Sequence, residues 1–278
     1  MHYSRPYRFQ GFPPRYDMKI LVRLAFFGRD FLGTQKQKKG ETIQSLFEWM
    51  LSLCYQKPVQ VYICSRLDRY VNAYDYALMF EAPDNRMSID RLKYYFRRMI
   101  KKDITIYDVR EVDDDFHPRY DCSYKSYVYT IQNREVKNPL FSSIAFSPKR
   151  VLDVSKLKEA ISFFVGKHDF RFFTTPEGDE NTIETLDYAE IVEEKGFLFI
   201  RFIGKSFLRY QVRFMVGGLL RYEEGKINQQ DILDMLSSKS VKWDKLKADP
   251  YALTLERIYY PSIDKNPDYP KGVPAFFL

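Results

Sequence analysis

The sequence predicts an α+β fold in which two βαββαβ units lie side by side, share one sheet and leave a cleft between them. Alternating apolar segments interleave with segments of helical periodicity, and the order strand, helix, strand, strand, helix, strand occurs before and after an acidic run at 113–115. Hydrophobic residues make up 45% of the 278 residues, enough for a packed core. We therefore expect a flexible N-terminal tail over 1–17, a first unit over 18–115 and a second over 116–278.

The first unit is predicted from alternating apolar residues in its strands and from apolar residues at helical spacing in its helices. Thr42 and Ser88 stand at the starts of the two helices, where their hydroxyls can accept bonds from free backbone N–H groups. This element order is that of a ferredoxin-like unit. The predicted elements cover 18–27, 42–54, 59–64, 76–81, 88–100 and 103–112.

The second unit repeats this order without a repeat at the level of residues. Gly166 ends its first predicted helix, and Glu194-Lys195-Gly196 lies between two alternating segments, which predicts a β-hairpin. The adjacent Gly217 and Gly218 weaken the helical pattern of the segment that contains them. The predicted elements cover 126–132, 155–165, 186–193, 197–203, 207–222, 231–236 and 253–259.

The charge favours a polyanionic partner. A formal net charge of +7 and a pI near 9.0 are typical of proteins that bind nucleic acid, although a basic housekeeping protein has the same balance. Tyr and Phe lie among the basic residues, a combination that suits the bases and phosphates of RNA. One basic group comprises Lys36, Lys38, Lys39, Arg97, Arg98, Lys101 and Lys102, and the other Arg201, Lys205, Arg209, Arg213 and Arg221.

Several other classes of protein do not fit the sequence. No run approaches the roughly 18 apolar residues of a membrane span, and the start is not an apolar signal segment. Three widely spaced cysteines predict neither a disulfide framework nor a zinc site and suggest a reducing compartment. Three scattered histidines do not form a metal cluster. We therefore expect a cytoplasmic protein that binds no metal.

The segment Arg66-Leu67-Asp68 is the most informative part of the chain. It follows the predicted strand 59–64, so both charged side chains lie at the end of a strand, where they can meet a ligand. Taken alone, an Arg-x-Asp at such a place favours a structural ion pair or a turn. Its significance depends on the motifs around it.

Four further motifs accompany this segment in a fixed order. They are Phe27-Gly28 through Leu46, then Phe116-His117-Pro118-Arg119 with Lys125–Tyr129, then Gly166–Phe170, and finally Phe207 through Gly217. Over nearly the full length, the five motifs together resemble those of the TruA-type tRNA pseudouridine synthase family.

The chain departs from the family pattern mainly in the signature Gly-Arg-Thr-Asp-x-Gly-Val-His-Ala. Arg66, Asp68, Val71 and Ala73 match it, whereas the departures are Ser65 for Gly, Leu67 for Thr, Arg69 for a small residue, Tyr70 for Gly and Asn72 for His. In the opening motif, Thr34 replaces a tryptophan. Because a tyrosine does not favour the positive φ that glycine allows, we expect this loop to be rebuilt around Asp68.

The resemblance implies isomerisation of uridine to pseudouridine in tRNA, in the anticodon stem-loop region, by a homodimer without cofactor or metal. It implies that a flipped uridine meets Asp68 as nucleophile or charge partner. It further implies that Arg213 pairs with Asp68 and that Arg66 fills the space left by the flipped base. Tyr127 is implied to stack on the uracil, and its phenol can assist proton removal from C5. Lys36, Lys38, Lys205 and Arg209 are expected to contact the RNA.

The residues alone leave other interpretations open. Arg213 fits a solvated helix cation, Tyr127 a core tyrosine, and Arg66 a simple phosphate contact. At the level of the whole chain, the alternatives are a catalytically silent RNA-binding relative or RNA chaperone, and an unrelated basic ferredoxin-like binding module. The silent relative differs from the enzyme in not needing Asp68, and the unrelated module would not prefer structured tRNA to random RNA.

Overall fold

The computed structural model describes residues 18–84, 87–100, 103–176, 178 and 180–278. The predicted tail over 1–17 lies outside the described residues, as do Lys101 and Lys102 of the first basic group. The described residues form nine strands and five α-helices around one mixed sheet, which confirms the predicted α+β class. None of the helices within these ranges is long and apolar enough to cross a membrane.

The elements follow closely the order that the sequence predicts. The first half contains β1 (Met18–Phe26), α1 (Ile43–Tyr55), β2 (Val61–Ile63), β3 (Asn72–Ala82), α2 (Ile89–Met99) and β4 (Ile104–Glu111). The second half contains β5 (Tyr124–Gln132), α3 (Val154–Ile161), β6 (Gly166–Asp169), β7 (Ile183–Glu194), β8 (Phe197–Gly204), α4 (Gln211–Glu223), α5 (Gln229–Leu236) and β9 (Leu253–Tyr259).

Local chemistry explains where the helices begin. The Thr42 hydroxyl accepts a bond from the Ser45 N–H at 3.1 Å, and the Ser45 hydroxyl accepts one from the Thr42 N–H at 2.9 Å, which closes a capping box at α1. Ser88 caps α2 by accepting from the Arg91 N–H at 3.4 Å. Both predicted caps are therefore confirmed.

The structure differs from the sequence prediction in several places, of which three lie near the candidate site or in the sheet. β3 begins at Asn72 rather than at 76, and the short strand β6, which pairs with β7, was not predicted. α4 begins at Gln211 rather than at 207 because Tyr210, with a φ of 63°, has a left-handed conformation that a right-handed helix cannot contain.

The sheet joins both halves of the chain. Its strand order is β4-β1-β3-β9-β5-β8-β7-β6, with β2 paired to β3 beside this path. β1 lies between β4 and β3, just as β5 lies between β9 and β8, and β2 pairs with β3 as β7 pairs with β8. Corresponding strands of the two halves therefore have equivalent neighbours in the sheet; the corresponding pairs are β1 and β5, β2 and β7, β3 and β8, and β4 and β9. One main hydrophobic core contains residues from both halves.

The two halves meet where β3 and β9 run parallel, with Asn72 opposite Thr254 and Ala73 opposite Leu255. We call this short pairing the seam. A buried ion pair lies beside it, since Asp75 of β3 accepts bonds from Arg23 of β1 and, at 3.2 Å, from the Ile258 N–H of β9. Arg23 in turn donates to the Ile258 carbonyl at 3.0 Å. Charged and polar groups thus tie β1 and β3 to β9.

Two arginines of the second basic group are paired with carboxylates. Arg201 is fully buried, donates to both Glu256 oxygens at 2.7 Å and pairs with Glu190. Arg221 pairs with Glu224 at 2.6 Å and with Asp244 at 2.5 Å. A buried cation needs such partners because its desolvation is costly. The prediction that Arg201 belongs to an RNA-binding surface is therefore wrong.

Replacing Asp75 by asparagine should lower the free energy of unfolding by about 3 kcal/mol, because it leaves the buried Arg23 without its closest carboxylate. Urea unfolding measures this change. Asp244→Asn is the matched control, since that side chain is 53% exposed and its ion pair with Arg221 should contribute no more than about 1 kcal/mol. If the two substitutions lower the free energy of unfolding equally, the buried pair of Asp75 and Arg23 does not hold the seam.

Candidate active site

The candidate site is built around an ion pair that joins the two halves. Asp68 lies in the loop between β2 and β3, and its Oδ2 accepts a bond at 2.8 Å from Nη1 of Arg213 on α4. The Arg213 Nε donates to the Ala248 carbonyl at 2.8 Å, so the guanidinium is held on two sides. Arg213 is buried, whereas the Asp68 side chain remains 26% exposed. Asp68 is therefore oriented and still open to solvent.

Burial and nearby cations act on Asp68 in opposite directions. Partial burial raises the pKa of the Asp68 carboxyl above its ordinary value, because desolvation disfavours the charged form. The hydrogen bond and charge of Arg213 lower it, as do the charges of Lys247 and Arg209. The ionised carboxylate thus depends on these cations, Arg213 above all.

Thr34 fixes the loop that carries Asp68. Its fully buried hydroxyl accepts a bond from the Leu67 N–H at 2.8 Å and donates to the Ser65 carbonyl at 3.0 Å, while its own N–H donates to the Leu67 carbonyl at 3.1 Å. Tyr76 of β3 donates to the same Ser65 carbonyl at 2.7 Å. The residue that stands in place of the family tryptophan is therefore part of the support of the loop.

The other side of the loop lies against Gly28. A Cβ atom at position 28 would approach the Val71 carbonyl oxygen to 2.2 Å, so only glycine permits this contact. Asn72 reinforces it, since its Oδ1 accepts from the Gly28 N–H at 2.9 Å and its Nδ2 donates to the Tyr251 carbonyl at 2.8 Å. One amide side chain therefore links the first half of the chain to the second beside the site.

The loop keeps a left-handed residue despite its altered signature. Tyr70 has a φ of 70°, and the Val71 N–H donates to the Asp68 carbonyl at 3.2 Å, which closes a turn. The expectation that a tyrosine here prevents a positive φ is therefore wrong. The turn bond and the contact with Gly28 hold Tyr70 in this conformation, at a cost of about 1–2 kcal/mol. The Arg69 guanidinium lies 4.5 Å from the centroid of the Tyr70 ring.

Tyr127 of β5 lies beneath the loop. Only 5% of it is exposed, its hydroxyl lies 2.9 Å from the Ser65 hydroxyl, and its ring meets Phe207 edge-on at 4.9 Å. Burial raises the pKa of the Tyr127 phenol, with a smaller contribution from the charge of Asp68. Its ring is thus a wall of the site and its hydroxyl remains protonated near neutral pH.

The remaining predicted RNA contacts are placed unequally. Arg66, Lys38 and Lys205 are exposed. Arg209 contributes to the potential at Asp68 and lies 4.9 Å from the centroid of the Tyr210 ring. Lys36 instead pairs with Glu48 at 2.7 Å, which neutralises much of its charge.

Sequence reasoning missed the lysine that the fold brings to Asp68 from the far end of the chain. Lys247 lies between α5 and β9, and its Nζ is 4.0 Å from the centroid of the Tyr210 ring. The only signal in the sequence is the spacing of four lysines in 239–247, which is also typical of a solvated loop.

Two comparisons of the sequence with known proteins point to the same family. Two relatives named tRNA pseudouridine synthase A, from Staphylococcus epidermidis and Staphylococcus aureus, are 35% and 34% identical to this chain. The alignments cover 92% and 90% of this chain and 96% and 93% of those relatives. A family model described as tRNA pseudouridine synthase matches 160–261. A chain of the solved structure titled "Crystal Structure of a Cbf5-Nop10-Gar1 Complex" matches with a TM-score of 0.30 at 10% identity, over 76% of this chain and 54% of that one, which is too low to bear on the fold.

Replacing Thr34 by valine should lower the free energy of unfolding by about 1–3 kcal/mol, because it leaves the Leu67 N–H and the Ser65 carbonyl short of a partner. Denaturant unfolding measures this loss. Thr105→Val, at an exposed strand position, provides a control of the same chemistry and should change stability little. If Thr34→Val is as stable as the control, the hydroxyl does not hold the loop.

Proposed function

The chain belongs to the tRNA pseudouridine synthase A family, and from this premise we propose that it isomerises a uridine in the anticodon stem-loop of tRNA with Asp68 as its nucleophile. The family is one of isomerases that act on tRNA. The observation that carries the assignment of Asp68 is its 2.8 Å bond to Arg213, which links the one partly exposed carboxylate of the loop to a buried cation of α4.

The chemistry needs a carboxylate close to both base and sugar. In the product, the bond from the ribose C1′ to N1 of uracil has been replaced by a bond from C1′ to C5, and the C5 proton has been lost while N1 has gained one. No atom is added in total, so no co-reactant is consumed. An ionised Asp68 can add to the ring or trap the ribose centre, and both routes remain open. The target nucleotide must first leave its stack, at a cost of about a few kcal/mol.

Each neighbouring residue has a distinct proposed role. Arg213 keeps Asp68 ionised and fixes its direction. Tyr127 offers its ring to the uracil; its buried, protonated hydroxyl argues against proton removal by a phenolate. The exposed Arg66 occupies the space that the flipped base leaves, since a planar guanidinium can stack there.

The architecture fits this proposal. We infer that 18–115 and 116–278 are two ferredoxin-like units, because corresponding strands have equivalent neighbours in the two halves. Asp68 and Arg213 belong to different units, so the proposed cleft lies where they meet. The homodimer is implied by the resemblance to the family, and the cytoplasmic location is inferred from the sequence. Light scattering of the purified protein tests the first of these.

A catalytically silent relative is the rival that the altered signature suggests. The geometry argues for the enzyme, since Tyr70 retains a positive φ and Asp68 retains its arginine partner despite the replaced residues.

Asp68→Asn should abolish pseudouridine formation, with a loss of about three orders of magnitude or more in rate, because the amide is no nucleophile. Tritium release from tRNA labelled at C5 of uridine measures the rate. Asp30→Asn, a charge loss at a half-exposed position paired with Arg29, serves as control and should retain full activity. A rate for Asp68→Asn within a few-fold of wild type would refute the assignment.

Arg213 should set the acidic limit of activity. The raised pKa of Asp68 means that the single-turnover rate falls as the pH drops through a value above the ordinary 3.8 of aspartate. Arg213→Gln removes the main influence that lowers the pKa of Asp68. The fall in rate on the acid side of the pH–rate profile, which we call the acid limb, should therefore move to higher pH. Arg213→Lys keeps the charge and should leave the limb nearer to wild type while slowing the rate about 100-fold through lost orientation. A limb that does not move in Arg213→Gln would show that Arg213 does not control the ionisation of Asp68.

A further inference from the structure

The segment 239–249, which we call the strap, is held along α4. The Ala248 N–H donates to the Arg213 carbonyl at 3.1 Å, and the Arg213 Nε donates back to the Ala248 carbonyl at 2.8 Å. The Leu246 carbonyl rests on Gly217, where a Cβ atom would lie 1.8 Å from its oxygen. Lys245 donates to the Thr174 carbonyl at 2.6 Å. These contacts flank Lys247 on both sides and fix its backbone beside the site.

The side chain of Lys247 points at the candidate site. Its ammonium lies 4.0 Å from the centroid of the Tyr210 ring, the distance of a cation–π contact, and its charge reaches Asp68. Lys247 is exposed, and in the part of the chain that the structure describes its Nζ has no hydrogen-bond or ion-pair partner. The neighbouring Lys245, by contrast, is already bonded to a carbonyl.

Three cations converge on the Tyr210 ring. Besides Lys247, the guanidinium carbons of Arg209 and Arg213 lie 4.9 and 5.5 Å from its centroid. Like charges gathered around one ring repel one another, and each cation–π contact offsets only about 0.5–1 kcal/mol. Tyr210 itself has a left-handed backbone, which adds strain. Asp68 is already bonded to Arg213, so the exposed ammonium of Lys247 is left able to bind an incoming anion.

The substrate supplies such an anion. The phosphodiesters on either side of a nucleotide are its only charged groups at neutral pH, and they adjoin the ribose on which the reaction takes place. Lysine binds phosphate as a compact point charge, and an ammonium over an aromatic face is held in place without being neutralised. An apolar or cationic ligand would gain nothing from this arrangement.

We propose that Lys247, held over the Tyr210 ring by the strap, binds a phosphodiester that adjoins the flipped uridine and so positions this nucleotide against Asp68. This inference rests on the proposed function and adds to it a specific contact with the substrate. Lys247 acts as a positioning residue, since it touches the backbone of the RNA and takes no part in the bonds that change.

The first test compares Lys247→Gln with Lys242→Gln, a matched loss of charge at an exposed position of the same strap. Both are made in the Asp68→Asn background, so that tRNA binding is measured without turnover. Loss of one phosphate contact should reduce the slope of log Kd against log salt concentration by about 0.7–0.9 for Lys247→Gln. Lys242→Gln should keep the slope, and Lys247→Arg should restore it. Equal slopes for Lys247→Gln and Lys242→Gln would overturn the proposal.

The second test locates the contact. After the modified uridine has been mapped with the wild-type protein, tRNA is ligated from synthetic halves with one uncharged methylphosphonate at either linkage beside it. At one of the two positions, the uncharged linkage should weaken tRNA binding by the protein with Lys247. The same linkage should not weaken tRNA binding by Lys247→Gln any further. The proposal is overturned if both neutral linkages weaken binding by Lys247→Gln as much as they weaken binding by the protein with Lys247. It is also overturned if Lys247→Gln shifts the acid limb but leaves the salt slope unchanged, because Lys247 would then act on the pKa of Asp68 alone.

The two proposals fail in different ways. Turnover retained by Asp68→Asn would refute the nucleophile, whereas the salt slopes and the effects of the neutral linkages report on Lys247 whether or not Asp68 is the nucleophile. Thermal unfolding of Lys247→Gln should match that of wild type, because its side chain is exposed and the strap is held by its neighbours.

Discussion

The parallel pairing of β3 with β9 is the constraint on which the candidate site depends. Asp68 precedes β3 by a single turn, and Arg213 is bonded to Ala248 shortly before β9. The 2.8 Å contact between the two side chains therefore exists only when these strands are in register. The seam consists of only two residue pairs, so other contacts are needed to fix its register.

Buried polar groups beside the seam provide these contacts. Asp75 bonds to Arg23 within its own half and to the Ile258 N–H across the seam. Such a pair contributes little net stability, because desolvation offsets most of its attraction. A slip of one residue, however, would leave these charges buried and unpaired, whereas an apolar contact would tolerate the slip. The fold thus uses buried charge near the site to select one register.

Much of this arrangement could be predicted from the sequence, because some residues act locally. The hydroxyls of Thr42 and Ser88 cap helices through bonds to residues three positions away, and periodicity shows which faces are buried. Contacts between distant residues have no such signal. Nothing in the sequence shows that Arg201 is buried with Glu256, that Tyr70 is held at positive φ by a turn bond and by Gly28, or that Lys247 reaches a ring at position 210. From the sequence, the role proposed for Asp68 could be inferred only through the order of the motifs around it.

Asn72 has a consequence for the conditions in which the protein can work. Its carboxamide offers one acceptor to Gly28 and one donor to Tyr251, and it does so at every pH. An imidazole at position 72, the family residue, offers one of each only in its neutral form and becomes a double donor when it gains a proton. With asparagine in its place, mild acid can reach the carboxylate of Asp68 without disturbing the link between the halves. On the proposed mechanism, acid stops the reaction by protonating Asp68 and leaves the link through Asn72 in place.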